Sequence, residues 1–159
     1  MNNTQALEIV EFLGKYNEHF TELFVFLGEK QNKVLADDIL WLHESLTTEQ
    51  KLAMMGNSLE NKRLEMMERL GFSEYTSSKL LEICPEEFRG RLKLECTNIE
   101  NTIGKIKQLN ADILETVEKK MAAAEGFLRD KGILATDVYD EAGAKHRLNN
   151  PDDDIIGSV

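Results

Sequence analysis

DDILWLHESLTTEQKLAMMGNSLENKRLEMMERLGF, residues 37–72 of a chain of 159 residues, is a long amphipathic segment on which the rest of the predicted architecture depends. Its apolar residues recur mostly every three or four positions, which predicts one helix with a single apolar stripe, closed by Gly71. At 1.5 Å per residue this helix is roughly 50 Å long, so it must lie beside other long helices. The stripe consists of Ile39, Leu42, Leu46, Leu52 or Ala53, Met55, Leu59, Leu64, Met67 and Leu70.

A second amphipathic pattern precedes this segment and predicts a first helix from about Thr4, a residue type common at N-caps, to about Ala36. Its apolar residues follow the three-and-four spacing of a coiled-coil seam. Phe12, Phe24 and Phe26 widen the seam, so we expect this helix to contact two neighbours. The seam is formed by Leu13, Tyr16, Phe20, Leu23, Leu27 and Val34.

The connection between these two helices is open to two interpretations. Asp37 and Asp38 offer an N-cap and negative charge to the second helix, which predicts a tight turn and an antiparallel hairpin. Alternatively, the first helix continues to Leu46 and a new helix begins at Thr47 or Thr48, because Thr47 and Gln50 match a capping box.

The chain after residue 72 predicts a short helix and then a very long one. Ser73 is a suitable N-cap for a helix from Glu74 to about Ile83. Pro85 at the N1 position, followed by two glutamates, favours a fresh helix start. The stripe of this last helix comprises Phe88, Leu92, Ile99, Ile103, Ile106, Ile113, Val117 and Met121 and continues toward Leu128.

The last helix is expected to end at Gly132 and to overhang its partners by more than a turn, since about 45 residues span nearly 70 Å. Gly90 and Gly104 each weaken it by about 1 kcal/mol relative to alanine and are candidate positions for a kink or break. Periodicity then stops, and the remaining residues mix turn formers, charges and isolated hydrophobics. We expect residues 133–159 to form a flexible, disordered C-terminal tail.

These patterns predict an all-α fold. It is an elongated antiparallel bundle of three long, coiled-coil-like helices with one short connecting helix, and residues 1–132 form the single domain. A net charge of −10 disfavours nucleic acid and anionic membrane surfaces as partners. The chain has no long apolar run for membrane insertion and no leader-like start, so we expect a cytoplasmic protein.

The sequence contains no pattern typical of catalysis or of a cofactor. His19, His43 and His146 are too scattered for metal-ligand spacing, and a histidine in such helices is interpreted as a surface residue. Cys84 and Cys96 are interpreted as reduced structural residues. The carboxylates lie among lysines on predicted solvated faces. We therefore expect no enzyme, no metal and no cofactor, which leaves protein binding.

Two features favour protein binding. Methionine doublets occur at residues 54–55 and 66–67, and we expect half of these side chains to fill the core. The stripe at the end of the last helix, with Met121, Ala124, Phe127 and Leu128, becomes an exposed apolar face if nothing covers it. Such a face could bind an amphipathic helix of a client. The alternative is a structural coiled coil that homodimerises through the same stripe.

The order of residues resembles the FlgN-type flagellar export chaperones. The family pattern in the first hairpin is a glutamate, a leucine, an aspartate, spaced leucines, an arginine and a closing leucine-glycine. The matching residues here are Glu29, Leu35, Asp37, Leu42, Leu46, Lys51, Leu59, Arg63, Leu70 and Gly71. Later matches are Asn110, Leu114, Asp137, Val138, Tyr139, Asp140 and Gly143. The family usually has a threonine directly before the tail tyrosine, where this chain has Val138.

The resemblance implies a small cytosolic helical chaperone. We expect the chain to be a monomer or a weak homodimer. Its clients would be hook-filament junction proteins, the hook-associated proteins of the FlgK and FlgL type, bound through their terminal helices before export. It also implies delivery to the flagellar export gate, with Tyr139 as the gate contact. By that analogy the client would lie along Leu114, Val117, Met121, Ala124, Phe127 and Leu128.

Overall fold

The computed structural model describes residues 1–132, 137–139 and 145–147. In chain order they form α1 (Asn3–Leu35), α2 (Ile39–Leu70), α3 (Ser77–Ile83), α4 (Glu86–Asp130), β1 (Asp137–Tyr139) and β2 (Lys145–Arg147). The predicted all-α bundle of three long helices and one short one is confirmed. The chain divides into two compact units, Met1–Thr116 and Val117–Val159. The predicted domain boundary at residue 132 stays a prediction.

The N-cap of helix α1 lies two residues before the predicted one. The Asn2 side chain accepts a hydrogen bond from the Gln5 backbone N–H, and the Gln5 side chain accepts one from the Asn2 N–H, both at 2.9 Å. This reciprocal capping box satisfies two otherwise unpaired donors. Asn2, rather than Thr4, therefore caps the helix.

The turn between α1 and α2 lies at Asp37, so the predicted hairpin is confirmed and the continuation of α1 to Leu46 is wrong. Asp37 has a φ of +56°, and the Asp38 carboxylate caps α2 by accepting from the Trp41 backbone N–H at 3.1 Å. The two helices run antiparallel, because Lys30 forms an ion pair with Glu49 at 2.7 Å and Arg69 with Glu8.

Helix α3 starts later than predicted. Helix α2 ends at Leu70 and is capped by Gly71, whose φ of +79° suits a residue without a Cβ. Phe72 is then buried, and its carbonyl accepts from the Tyr75 N–H at 3.0 Å in a turn. Because this turn occupies residues 72–75, Thr76 caps α3 instead of Ser73.

Helix α4 begins directly after Pro85, whose carbonyl accepts from the backbone N–H groups of the first turn. It passes through Gly90 and Gly104 without a break. In the first unit it runs beside α1, since Asn17 donates to Glu95 at 3.4 Å and the Lys105 ammonium lies 5.9 Å from the centre of the Phe24 ring. Helix α1 thus contacts both long partners, as the phenylalanines predicted.

The core of the first unit is centred on α1, where Ile9 and Val10 are at most 1% exposed. Residues from all four helices meet there, so α3 docks on the bundle. The other members of this cluster are Ala6, Met66, Met67, Phe72, Leu80, Cys84 and Leu92.

The stripe predicted for α2 is wrong in part. Leu46 and Leu64 are each 51% exposed, whereas Ser45 and Leu52 are buried. The inward positions follow a seven-residue spacing that starts at Ser45, so Leu46 lies about 100° around the helix. A buried serine is tolerated because its hydroxyl donates to the Leu42 carbonyl at 3.0 Å.

Strands β1 and β2 form a two-stranded antiparallel ladder in the second unit, with Val138 opposite His146. The rest of the predicted tail lies outside the described residues, namely 133–136, 140–144 and 148–159. The predicted flexibility of the tail therefore stays a prediction. Among the described helices, none combines the length and the apolar character that crossing a membrane requires.

Candidate functional site

The end of α4 presents apolar side chains in the second unit. Met121 is 58% exposed and Phe127 is 60% exposed, Ala124 is exposed, and Val117 and Leu128 are half-buried. Spacings of four, three and four residues place Val117, Met121, Ala124 and Leu128 on one side of the helix, with Phe127 beside them. We call these five residues the terminal face of α4.

The part of α4 that belongs to the first unit behaves differently. Ile99, Ile106 and Ile113, which continue the same sequence pattern, are only 7–8% exposed. Leu114, the first residue of the predicted client site, is 60% exposed and lies in this unit. The predicted site thus consists of exposed Leu114 in one unit and the terminal face in the other.

The charge around the terminal face differs from that of the whole chain. Residues 117–132 carry four basic and three acidic side chains, whereas the chain has a net charge of −10. One of these cations lies against an aromatic ring of the face, because the Lys131 ammonium is 5.7 Å from the centre of the Phe127 ring. The segment that carries the face, residues 117–132, is therefore close to neutral in charge.

Tyr139 is the last residue of β1, where its backbone pairs with Lys145. The position of its side chain lies outside what the structure describes. Its role as a gate contact stays a prediction.

The methionine doublets of α2 divide as expected. Met66 and Met67 are 7% and 5% exposed and lie in the core, whereas Met54 and Met55 are 72% and 45% exposed. Half of these side chains therefore fill the bundle, and the other half are accessible on α2.

A polar cluster in the first unit was not identified by sequence reasoning. The Tyr16 hydroxyl donates to Glu60 Oε2 at 2.8 Å, and Arg63 donates to both Glu60 oxygens, from Nε and Nη2, at 2.8 Å. Burial and the hydrogen bond to Glu60 raise the pKa of Tyr16 to about 12. The hydrogen bonds from Arg63 lower the pKa of Glu60. Only the i,i+3 spacing of Glu60 and Arg63 was visible in the sequence.

His19 also departs from its predicted place, since it is 4% exposed rather than a surface residue. Its Nδ1 atom is buried without a hydrogen-bond partner. The ring lies against α2 at Gly56, where an added Cβ would be 3.0 Å from His19 Nε2. A glycine at residue 56 therefore makes room for a histidine between α1 and α2.

The cysteines and histidines form no metal centre among the described residues, in which no group of three possible ligands was found. Cys84 and Cys96 are free thiols, and burial raises the pKa of both. A raised thiol pKa lowers the fraction of reactive thiolate at neutral pH, which fits the predicted structural role.

Comparison with known proteins gives one match. The family model described as FlgN protein matches residues 1–143, which include α1 to α4 and β1. No curated protein and no solved structure matches the chain.

Proposed function

Because the chain belongs to the FlgN family of flagellar export chaperones, we propose that it binds hook-associated proteins of the FlgK and FlgL type in the cytoplasm and delivers them for export. The family is one of chaperones rather than enzymes. The observation that carries the proposal is the terminal face of α4, where Met121 and Phe127 are more than half exposed. The proposed binding residues are this face together with Leu114.

The proposed binding mode is helix against helix. A terminal helix of the client lays its apolar side on the terminal face, which removes both apolar surfaces from water. The client helix is then no longer available for self-association before export. An interface of standard size buries about 1,600 Å² in total, and its affinity depends on a few well-packed apolar anchors rather than on area. Met121 and Phe127 are the proposed anchors.

Charge has a smaller role in this proposal. Residues 117–132 are nearly balanced in charge, so the contact itself depends on apolar packing. The net charge of −10 on the whole chain would instead speed the encounter with a basic client. We therefore expect added salt to slow association and to leave the dissociation rate nearly unchanged.

The test replaces Val117, Met121 and Leu128 by serine and measures binding of a purified hook-associated protein from the same organism by calorimetry. We expect affinity to fall by at least about a hundredfold, because apolar contact at the centre of the interface is lost. Helical content should stay nearly unchanged, since none of these residues belongs to the buried core.

A matched control replaces Leu46, Met54 and Leu64 of α2, which are 51%, 72% and 51% exposed, by serine. This variant removes more exposed apolar area than the test variant, because Val117 and Leu128 are half-buried, and it should still bind the client as the unmodified chain does. Equal binding by both triple variants would exclude the terminal face as the client site.

Tyr139 is the proposed contact with the export gate. Replacing Tyr139 by alanine should leave calorimetric binding of the client unchanged and remove co-purification with the cytoplasmic part of the gate. Loss of client binding in the same variant would contradict the separation of the two sites.

The exposed terminal face also favours a second candidate function, a coiled coil that self-associates through it. Sedimentation velocity distinguishes the two functions. A stable dimer that becomes monomeric in the triple serine variant, with no client binding by the unmodified chain, would favour self-association.

A further inference from the structure

The first unit contains a cavity of about 180 Å³ that the proposed client site does not use. Its inner walls are apolar and come from all four helices of the bundle. Ile9, at 1% exposure, and Leu80, at 7%, belong to the core that closes its floor. The other apolar walls are Leu13, Met66, Met67 and Ile99.

One side of this cavity is open to solvent. Tyr75, Ser77 and Glu100 line it, and all three are exposed. Tyr75 is held at the mouth because its backbone N–H donates to the Phe72 carbonyl and its ring packs edge-on against the Phe72 ring, with centroids 5.3 Å apart. The mouth is thus formed by an ordered turn, and a ligand can enter without opening the bundle.

The volume and the lining select a ligand of one size class. An apolar cavity of about 150 Å³ is large enough for a benzene molecule, whereas pockets for larger organic ligands measure about 300–1,000 Å³. Met66 and Met67 add two polarisable sulfur atoms, which make favourable contacts with aromatic rings. A single phenyl ring is therefore the group that this cavity fits.

The charges at the mouth of the cavity determine which kind of residue should lie next to the inserted ring in the ligand. Arg63 also lines the cavity, but Glu60 neutralises it through two hydrogen bonds of 2.8 Å. Glu100 has no ion pair with any residue that the structure describes. The mouth thus carries an unbalanced negative charge, which favours a cation next to the inserted ring.

We propose that this cavity anchors one phenylalanine side chain of a partner protein, with a lysine or arginine beside it in the partner facing Glu100. A free molecule of this size buries so little surface that it would bind with a dissociation constant on the order of millimolar. A side chain on a longer segment gains further contacts outside the cavity, as interface anchors do. None of the lining residues belongs to the terminal face, so the proposal does not depend on the client site.

The test uses the full chain with isotope-labelled methionine methyl groups and three probes. These are a short capped peptide with phenylalanine between two lysines, its twin with alanine in place of phenylalanine, and toluene. We expect the phenylalanine peptide and toluene to shift the NMR signals of Met66 and Met67, and the alanine twin to leave them in place. The exposed Met54 and Met55 of the same helix serve as internal controls.

Two substitutions on α3 sharpen the test. Ser77→Phe places a phenyl ring at the mouth and should abolish both responses, whereas Ser78→Phe adds the same ring at an exposed neighbour that does not line the cavity. If Ser77→Phe lowers the helical content, Cys96→Met replaces it in the test. This substitution fills the cavity from α4 and should also abolish both responses. Glu100→Gln should weaken the phenylalanine peptide about threefold and leave toluene unchanged.

Each remaining outcome overturns the proposal. Shifts with toluene but not with the phenylalanine peptide would make this a site for small free molecules. No shift at Met66 and Met67 with either probe would mean that the cavity is closed in solution. Shifts that persist in Ser77→Phe and Cys96→Met would place the binding elsewhere. The triple serine variant of the terminal face should respond normally, which separates this result from the client-binding test.

Discussion

Two parts of α4 share one sequence pattern and differ in their surroundings. In the first unit, Ile99, Ile106 and Ile113 are at most 8% exposed, whereas in the second unit Met121 and Phe127 are 58% and 60% exposed. Both sets follow the spacing of an amphipathic helix. Periodicity therefore identifies the helix and the side that is apolar, but not whether anything covers that side. For this chain the uncovered part is the candidate for binding.

The largest expected effect comes from removing one large side chain from each part. Leu92 is the most buried residue of α4, at 1% exposure. Leu92→Ala should lower the unfolding free energy by about 2–5 kcal/mol, because the substitution leaves a cavity. Met121→Ala should change it by less than about 0.5 kcal/mol. Urea denaturation followed by circular dichroism measures both. Similar costs would mean that Met121 is covered in solution and that the contrast is wrong.

Methionine oxidation compares exposed with buried side chains on α2 and α4 without a mutation. Hydrogen peroxide should oxidise Met121 and Met54, at 58% and 72% exposure, at least about tenfold faster than Met66 and Met67, at 7% and 5%. Addition of a client should then protect Met121 and leave Met54 reactive. Mass spectrometry of peptides reports each site separately. Protection of Met54 instead would move the proposed binding surface to α2.

The polar cluster between α1 and α2 in the first unit gives a prediction for alkaline pH. Because the folded state raises the pKa of Tyr16 to about 12 from an unfolded value of 10, folding retains the proton at pH values where the unfolded chain loses it. The contribution of Tyr16 to the unfolding free energy is therefore fully present below pH 10 and is lost as the pH rises toward 12. Partial exposure reduces it to about 1 kcal/mol.

Tyr16→Phe is the matched control for this prediction, since it removes the titrating hydroxyl and retains the ring. The difference in unfolding free energy between the two proteins should be constant up to pH 10 and shrink between pH 10 and 12. A difference that stays constant over that window would show that Tyr16 does not titrate differently in the folded state.

Local rules predicted the elements of this fold well, because they depend on neighbouring residues. The Asp38 cap and the Gly71 C-cap are such local signals, and both lie where the sequence placed them. The start of α3 was predicted too early, since Phe72 is drawn into the core and the following residues form a turn. Burial of that side chain depends on the whole bundle, which a local rule does not contain.

The inward side of α2 and the cavity were not predictable for the same reason. Ser45 lies inside and Leu46 outside because the packing register of three helices decides which heptad position points inward. His19 is buried because Gly56 on another helix leaves space for it. The terminal face was predictable from period alone, but its exposure was not. The side chain of Tyr139 lies outside the described residues, so its predicted role is untested.

The smallest expected effect compares a glycine at a packed position with one in open surroundings. Gly126, near the end of α4, has nothing within 4 Å of an added Cβ, so Gly126→Ala should raise the local stability of the helix by about 0.5–1 kcal/mol. At Gly56 the same methyl group would be 3.0 Å from His19 Nε2. Because the His19 ring is buried, it cannot move away freely, and the strain should outweigh the gain in helix propensity.

We therefore expect Gly56→Ala to lower the unfolding free energy by about 0.5 kcal/mol, opposite in sign to Gly126→Ala. Urea denaturation measures the first variant, and amide hydrogen exchange at residues 121–128 measures the second. His19→Ala removes the ring with which the added methyl group clashes. In that background Gly56→Ala should therefore raise the unfolding free energy. Equal stabilisation by Gly56→Ala in the unmodified chain and in the His19→Ala background would mean that the added methyl group does not clash with His19. The packed position 56 would then respond to alanine as the open position 126 does.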